Sequence, residues 1–448
     1  MLIPLLGFLI YMYFTELDKI LLLITFLTPL SITLSNYDAQ LGLALPTEPM
    51  MVAVLGLYVF KIIFQQDFDK KILIHPVSVS IIFYLIWLFI TSLTSEIPLV
   101  SLKFLLAKLW FIVPFYFLAT QIFKNLKNFK IFSWAYMLSL SIVIVYTTVK
   151  HSAYGFDEEI GHWIMDPFYN DHTAYGAMIA FFVPVISGFL FDKNYSNVQR
   201  LFTFFVFAII LIGLYLSYSR AAWLGIVAAI ALFVILKFKI KIKWVTLTVL
   251  VGLGLFLMLR TQIIMKLEKN KQDTSQNFTE HVQSISNIST DASNLERINR
   301  WISAFRMFSE RPFFGYGPGT YQFCYAPYQY SYEKTIISTN AGNMGNAHSE
   351  YIGPLAETGV LGLLSVLAIA ITSFFTAYRV YLKSENKKVR FLSLIAITSL
   401  VTYYVHGFLN NFLDTDKASV PFWGFIAMIV ALDVYHKNNE ITDKEKVV

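Results

Sequence analysis

Charge is scarce in this sequence: Asp, Glu, Lys and Arg make up 14% of its 448 residues, against 56% hydrophobic. A soluble protein with so few charges could not cover its own surface, so a water-soluble module is excluded. Cysteine is nearly absent, and the single Cys324 rules out an internal disulfide framework and any multi-cysteine zinc site. Met1–Phe14 lacks a basic n-region and a small-residue cleavage site, so no cleavable signal pattern is evident. The formal balance of +6 does not point to nucleic acid, because the lysines sit mostly in short loops between apolar runs.

Long apolar runs are what the chain does have. They fall near 2–14, 18–35, 48–65, 76–94, 103–123, 128–149, 172–191, 200–217, 221–238, 244–260, 348–382, 389–409 and 419–436. Crossing a hydrocarbon core of ~30 Å takes ~20 helical residues, so the pattern predicts an all-α polytopic membrane protein. Twelve or thirteen transmembrane helices are expected, the first run being short enough for a half-helix or a re-entrant piece.

Basic residues fall in every second loop. Lys61/Lys70/Lys71, Lys124/Lys127/Lys130, Lys193/Arg200, Lys237/Lys239/Lys241/Lys243 and Lys383/Lys387/Lys388/Arg390 alternate with loops at 36–47, 95–102 and 410–418 that hold almost none. The positive-inside rule makes the basic loops and the tail at 437–448 cytoplasmic. Two longer loops, 150–171 and 261–347, are then outside. The expected organisation is spans over 1–260, an external loop over 261–347, three last spans over 348–436 and the tail. The first half of the large loop is rich in Ser, Thr, Asn and Gln. Its second half has helical apolar spacing at Leu295, Ile298, Trp301/Ile302, Phe305 and Phe308, predicting an amphipathic helix on the outer face. Pro312 ends it, and Gly315-Tyr316-Gly317-Pro318-Gly319 reads as a turn. With no Lys-Ser/Thr after it and no strand before it, this is not a phosphate loop.

Arginine on the outer side breaks the charge pattern. Arg220 sits in a tight connection, Ser217-Tyr-Ser-Arg-Ala-Ala-Trp223, and Arg297, Arg300, Arg306 and Arg311 lie in the external helix. Each has an ordinary explanation, snorkelling or a solvated face. Guanidiniums from two sources converging on one point would instead suit a diphosphate, which they bind bidentately. His348 stands at the mouth of a span, where a titratable imidazole is costly. Other outer-face polar groups are Asn170-Asp171-His172-Thr173, His406, Asn410-Asn411 and Asp414-Thr-Asp416-Lys417. The Asp-x-Asp pair is too small a signal to assign a metal.

The stretch from His348 to Gly362 resembles the His-[Asn/Ser/Gln]-x9-Gly-x-x-Gly signature of bacterial O-antigen ligases, O-antigen polymerases and protein O-oligosaccharyltransferases. It reads here as His348, Ser349, nine residues, Gly359 and Gly362, two glycines expected to let a neighbouring helix approach closely, with Leu363-Leu364 where the family usually extends the glycine by Thr-Gly. Arg220 matches that family's Ser-Arg-small-small-aromatic hairpin. Arg297, with Trp301, Ala304, Pro312, Gly315 and Gly317, matches its Arg-x-x-x-Trp-x-x-Ala segment and following turn. The resemblance implies a GT-C-like membrane glycosyltransferase of the bacterial inner membrane with its site facing the periplasm. It implies an undecaprenyl-diphosphate-linked glycan as donor, and lipid A–core or another hydroxyl as acceptor. His348 would be the base and Arg220 and Arg297 the diphosphate clamp, with Arg300, His172, Glu357 and Tyr316 expected to contact substrate. A single inverting displacement that expels an already stable phosphate leaving group would need neither metal nor cofactor. Polymerase or protein oligosaccharyltransferase are alternatives within the family. A polysaccharide flippase is the rival from another class, against which stand the lack of similar halves and the one-sided clustering of charges.

Overall fold

The structure is a computed structural model that describes residues 16–33, 43–65, 68–241, 243–244, 292–333 and 345–436. Helices account for 78% of it; among the described residues the strands are two-residue pieces, Ile32–Thr33 pairing antiparallel with Ala44–Leu45. Among the described residues ten helices are long and apolar enough to cross a membrane. In chain order the main helices are α1 (Leu17–Leu27), α2 (Thr47–Gln65), α3 (Pro76–Leu93), α4 (Pro98–Ile112), α5 (Leu126–Ser152), α6 (His172–Leu190), α7 (Asn197–Tyr215), α8 (Arg220–Lys237), α9 (Ala292–Glu310), α10 (Ile352–Lys383), α11 (Lys387–Leu409) and α12 (Asp416–Ala431). α4 continues through a π turn at Val113–Leu118, beside Pro114, to Ile122.

Ten of the predicted apolar runs therefore appear as spans. The run at 18–35 is shorter than expected: α1 gives way to a 3-10 turn at Thr28–Leu30, where Pro29 cannot continue the α-helical ladder. The runs at 2–14 and 244–260 lie outside the described residues. Helix starts follow local chemistry. Pro76 and Pro98 occupy first-turn positions where no N–H is needed, Asp171 caps α6, and Asn386 caps α11.

α12 is the central helix: all of its residues are buried, whereas fewer than a third of those in α2 and α7 are. Aromatic rings lock it in place, with Phe425 meeting Phe129 at 5.5 Å and Phe181 at 4.9 Å. Around it α11 packs against α6, α8 and α10, and α10 packs against α3. α8 approaches α11 so closely that a Cβ at Gly225 would lie 2.6 Å from the Thr402 carbonyl oxygen. α9 packs against α10 and brings Trp301 edge-on to Phe408 at the end of α11, 5.4 Å between centroids. The starts of α4, α6, α8, α10 and α12 and the ends of α3 and α11 thus share one end of the bundle.

Candidate active site

The helix predicted over Leu295–Phe308 is present as α9, but the face turned to the protein is the polar one. Glu296, Asn299, Arg300, Ser303, Ala304 and Met307 are buried, while Leu295 and Phe305 are exposed. Three of the loop arginines are held in ion pairs. Arg300 donates to Glu296 Oε1 at 2.9 Å and lies over the Tyr325 ring at 4.7 Å. Arg306 makes a two-pronged bond to Glu333 at 2.6 Å for each contact, and Arg311 pairs with Glu96. Arg300 also reaches the Asn346 carbonyl at 3.5 Å, tying α9 to the segment that carries His348.

His348 lies in a turn four residues ahead of α10, not at the helix start itself. Its φ of +48° is left-handed, and its N–H donates to Asn346 Oδ1 at 3.0 Å. Ser349 Oγ then accepts from the N–H groups of Tyr351 and Ile352, both at 3.3 Å, opening α10. Burial, then the positive charges of Arg297 and Arg300, push the His348 imidazole down to about 4, with Asp171 and Glu296 opposing. The imidazole is therefore neutral throughout the physiological range, by a wider margin than an ordinary histidine.

Arg297 links the histidines of this end of the bundle, being within charge–charge reach of His172, His348 and His406. Arg220 sits at the first turn of α8 behind the Ser219 cap, and its field falls on His162 and His172. His172 Nδ1 donates to the Ser217 carbonyl at 2.9 Å, which ties α6 to the Arg220 hairpin and leaves Nε2 as the acceptor nitrogen. His162 stacks on His172 at 4.2 Å. Burial lowers the His162 imidazole, and the neighbouring His172 lowers it further.

Beside the His348 turn lies a cavity of about 580 Å³. Ala347, Ser349 and Glu350 line it, with Asp171, Glu357 and Asp414 among its polar wall and Trp110, Phe422 and Trp423 among its apolar wall. Glu357 is spent on the fold: its Oε1 accepts the Tyr321 N–H at 3.0 Å, and its carbonyl accepts the Gly317 N–H at 2.7 Å. Tyr316 is likewise built in, its N–H donating to the Ala356 carbonyl at 3.2 Å and its hydroxyl bonded to that of Tyr328. The glycine turn thus plugs into α10 where that helix breaks at Gly359 (φ +69°). What approaches Gly359 is the Pro312–Phe313 backbone, where a neighbouring helix was expected.

The Asp-x-Asp carboxylates diverge. Asp414 pairs with Lys108 at 2.7 Å, whereas Asp416 accepts from Ser31 and Thr47, both at 2.6 Å. Lys108 was not singled out in the sequence, although a lysine within an apolar run was a usable signal. Glu350 lay inside the quoted motif without a role. Burial and Asp414 raise its carboxyl, against Lys108 and the donors that bind it.

Residues 205–367 match the family model described as O-antigen ligase, a stretch that includes Arg220, Arg297 and His348. No curated protein matches the chain.

Proposed function

We propose that the chain is a member of the O-antigen ligase family, a reading supported by the match over residues 205–367, and that it moves a polyprenyl-diphosphate-linked glycan onto a hydroxyl of lipid A–core. The observation that supports this most directly is the reach of the Arg297 charge to His172, His348 and His406, beside a largely apolar cavity. In this reading the protein lies in the bacterial inner membrane with the site on the periplasmic side, an orientation that the alternation of basic loops supports.

The donor diphosphate is held by the Arg220 and Arg297 guanidiniums, while the acceptor hydroxyl comes to His348. Neutral imidazole takes the hydroxyl proton as the acceptor oxygen attacks the anomeric carbon. The bond from that carbon to the diphosphate oxygen breaks, and the guanidiniums receive the charge that grows there. One displacement inverts the anomeric centre and needs neither metal nor nucleotide. Arginine charge also couples the two halves of the site. An anionic donor offsets the field that lowers His348, so the imidazole becomes a stronger base once donor is bound.

The test is the fate of lipid-linked glycan in cells lacking the gene, complemented with wild type or His348→Ala. Long polymer that forms but stays on its polyprenyl carrier without wild-type protein supports ligation. Acceptor carrying a single repeat unit would instead make the protein a polymerase.

A further inference from the structure

Glu350 lies two residues beyond His348 and joins that turn to the α11–α12 connection. Its N–H donates to the Gly407 carbonyl at 2.8 Å. Its Oε1 accepts from the Tyr403 hydroxyl at 2.7 Å and from the N–H groups of Phe412 and Leu413 at 2.8 and 2.9 Å. The same connection is gripped from the other side by α4, where Lys108 Nζ donates to the Leu413 carbonyl at 2.8 Å and to Asp414 Oδ1 at 2.7 Å. Lys108 lies roughly 15 Å along α4 from its start at the helical rise per residue, a depth at which an ammonium is costly without such partners.

His348 needs holding. A left-handed histidine costs about 1 kcal/mol and persists only where its surroundings over-determine it. Asn346 fixes the turn before His348; Glu350 and the Ser349 cap fix it after.

We propose that Glu350 is a positioning residue for His348, and that Lys108 completes the brace by holding the 412–414 segment that Glu350 grips. This rests on the reading of His348 as the base. Three donors converge on one oxygen of Glu350, so geometry matters more than charge, and glutamine keeps that acceptor while alanine removes it. The charged and titratable groups around Glu350 are Asp414, Lys108, Tyr403, Tyr84 and Tyr351, and those around His348 are Arg297, Arg300, Asp171 and Glu296.

The experiment uses the full chain in lipid nanodiscs and has two readouts. One is the pH dependence of His348 carbethoxylation by diethyl pyrocarbonate, read by peptide mass spectrometry; the other is glycan transfer from a polyprenyl-diphosphate donor. Wild type is expected to show a His348 midpoint near pH 4. In Glu350→Ala the turn relaxes out of its arginine-rich burial, so the midpoint rises by more than one pH unit. Transfer falls about 10²-fold through kcat, with KM for donor changed less than about twofold. Lys108→Met moves the midpoint in the same direction by less, and Glu350→Gln leaves it near wild type with transfer kept within about tenfold. A folded Glu350→Ala with the wild-type midpoint overturns the proposal. So does Glu350→Gln as inactive as alanine with the midpoint unmoved, which would make Glu350 a substrate contact. Should Glu350→Ala not fold, an unmoved midpoint in Lys108→Met overturns it. If midpoints behave as stated but wild type transfers no glycan, the functional reading falls and the brace stands.

Discussion

At the scale of single residues, the decisive property is the environment of His348. An imidazole at its ordinary value would lose half its basic form near pH 6.5. Burial with Arg297 and Arg300 nearby moves that point to about 4. If the neutral form is the active one, kcat/KM rises through about pH 4 and is flat from pH 5.5 to neutrality. The limb in kcat, which reports the donor complex, lies higher because the diphosphate screens the arginines. Both limbs together near 6.5 would show that the arginine field does not act on His348. On the same reading Arg297 is expected to be irreplaceable. Arg297→Ala is expected to lower kcat/KM by about 10²–10³-fold, and Arg297→Lys to recover little of it, because a point charge lacks the planar fork. Normal transfer by Arg297→Lys would remove the clamp. These residues were legible because their types stand out in an apolar chain. Their electrostatic setting was not, since it depends on which of several arginines α9 brings close to the His348 turn. Nor was the Lys108–Asp414 pair, whose members are 306 residues apart.

At the scale of elements, local signals forecast where helices begin but not which face they bury. The apolar period of α9 was correct, yet Arg300 and Glu296 satisfy each other inward, so the polar stripe packs and Leu295 and Phe305 remain exposed. A buried ion pair at i, i+4 can override an amphipathic pattern because each partner supplies what the other lacks. The break in α10 was equally hidden. Gly359 was expected to admit a neighbouring helix, and instead takes φ +69° and ψ −167° to receive a loop. That conformation is essentially glycine's alone, and a Cβ there would lie 2.1 Å from the Phe313 carbonyl oxygen. Gly359→Ala therefore combines backbone strain with a clash, for a loss of about 3 kcal/mol. Thermal unfolding in detergent should show a clear fall in Tm. A wild-type Tm would mean the loop does not seat at Gly359. Trp87, whose indole N–H donates to the Thr358 carbonyl at 2.8 Å, supports the same junction, and Trp87→Phe is expected to cost only about 1 kcal/mol.

At the scale of the whole molecule, the ten spans fix which termini share an end, and the loop lysines give that arrangement a direction. The α10–α11 turn carries Lys383, Lys387, Lys388 and Arg390, whereas the histidine and arginine site collects at the opposite ends of the same two helices. If basic loops face the cytoplasm, the site faces outward, where a lipid-linked glycan meets an acceptor without crossing the membrane again. With only Cys324 to remove, this can be read by chemical labelling. In a Cys324→Ser background, Ala153→Cys, in the exposed turn after α5, should react with a membrane-impermeant maleimide in intact spheroplasts. Glu385→Cys, exposed between α10 and α11, should react only after the membrane is opened. The reverse pattern would turn the site to the cytoplasm and remove the periplasmic transfer reaction, while leaving the geometry around His348 intact. The labelling thus separates the chemistry of the site from its address: the first depends on contacts between helix ends, the second on the sixteen loop lysines and arginines of the alternating pattern.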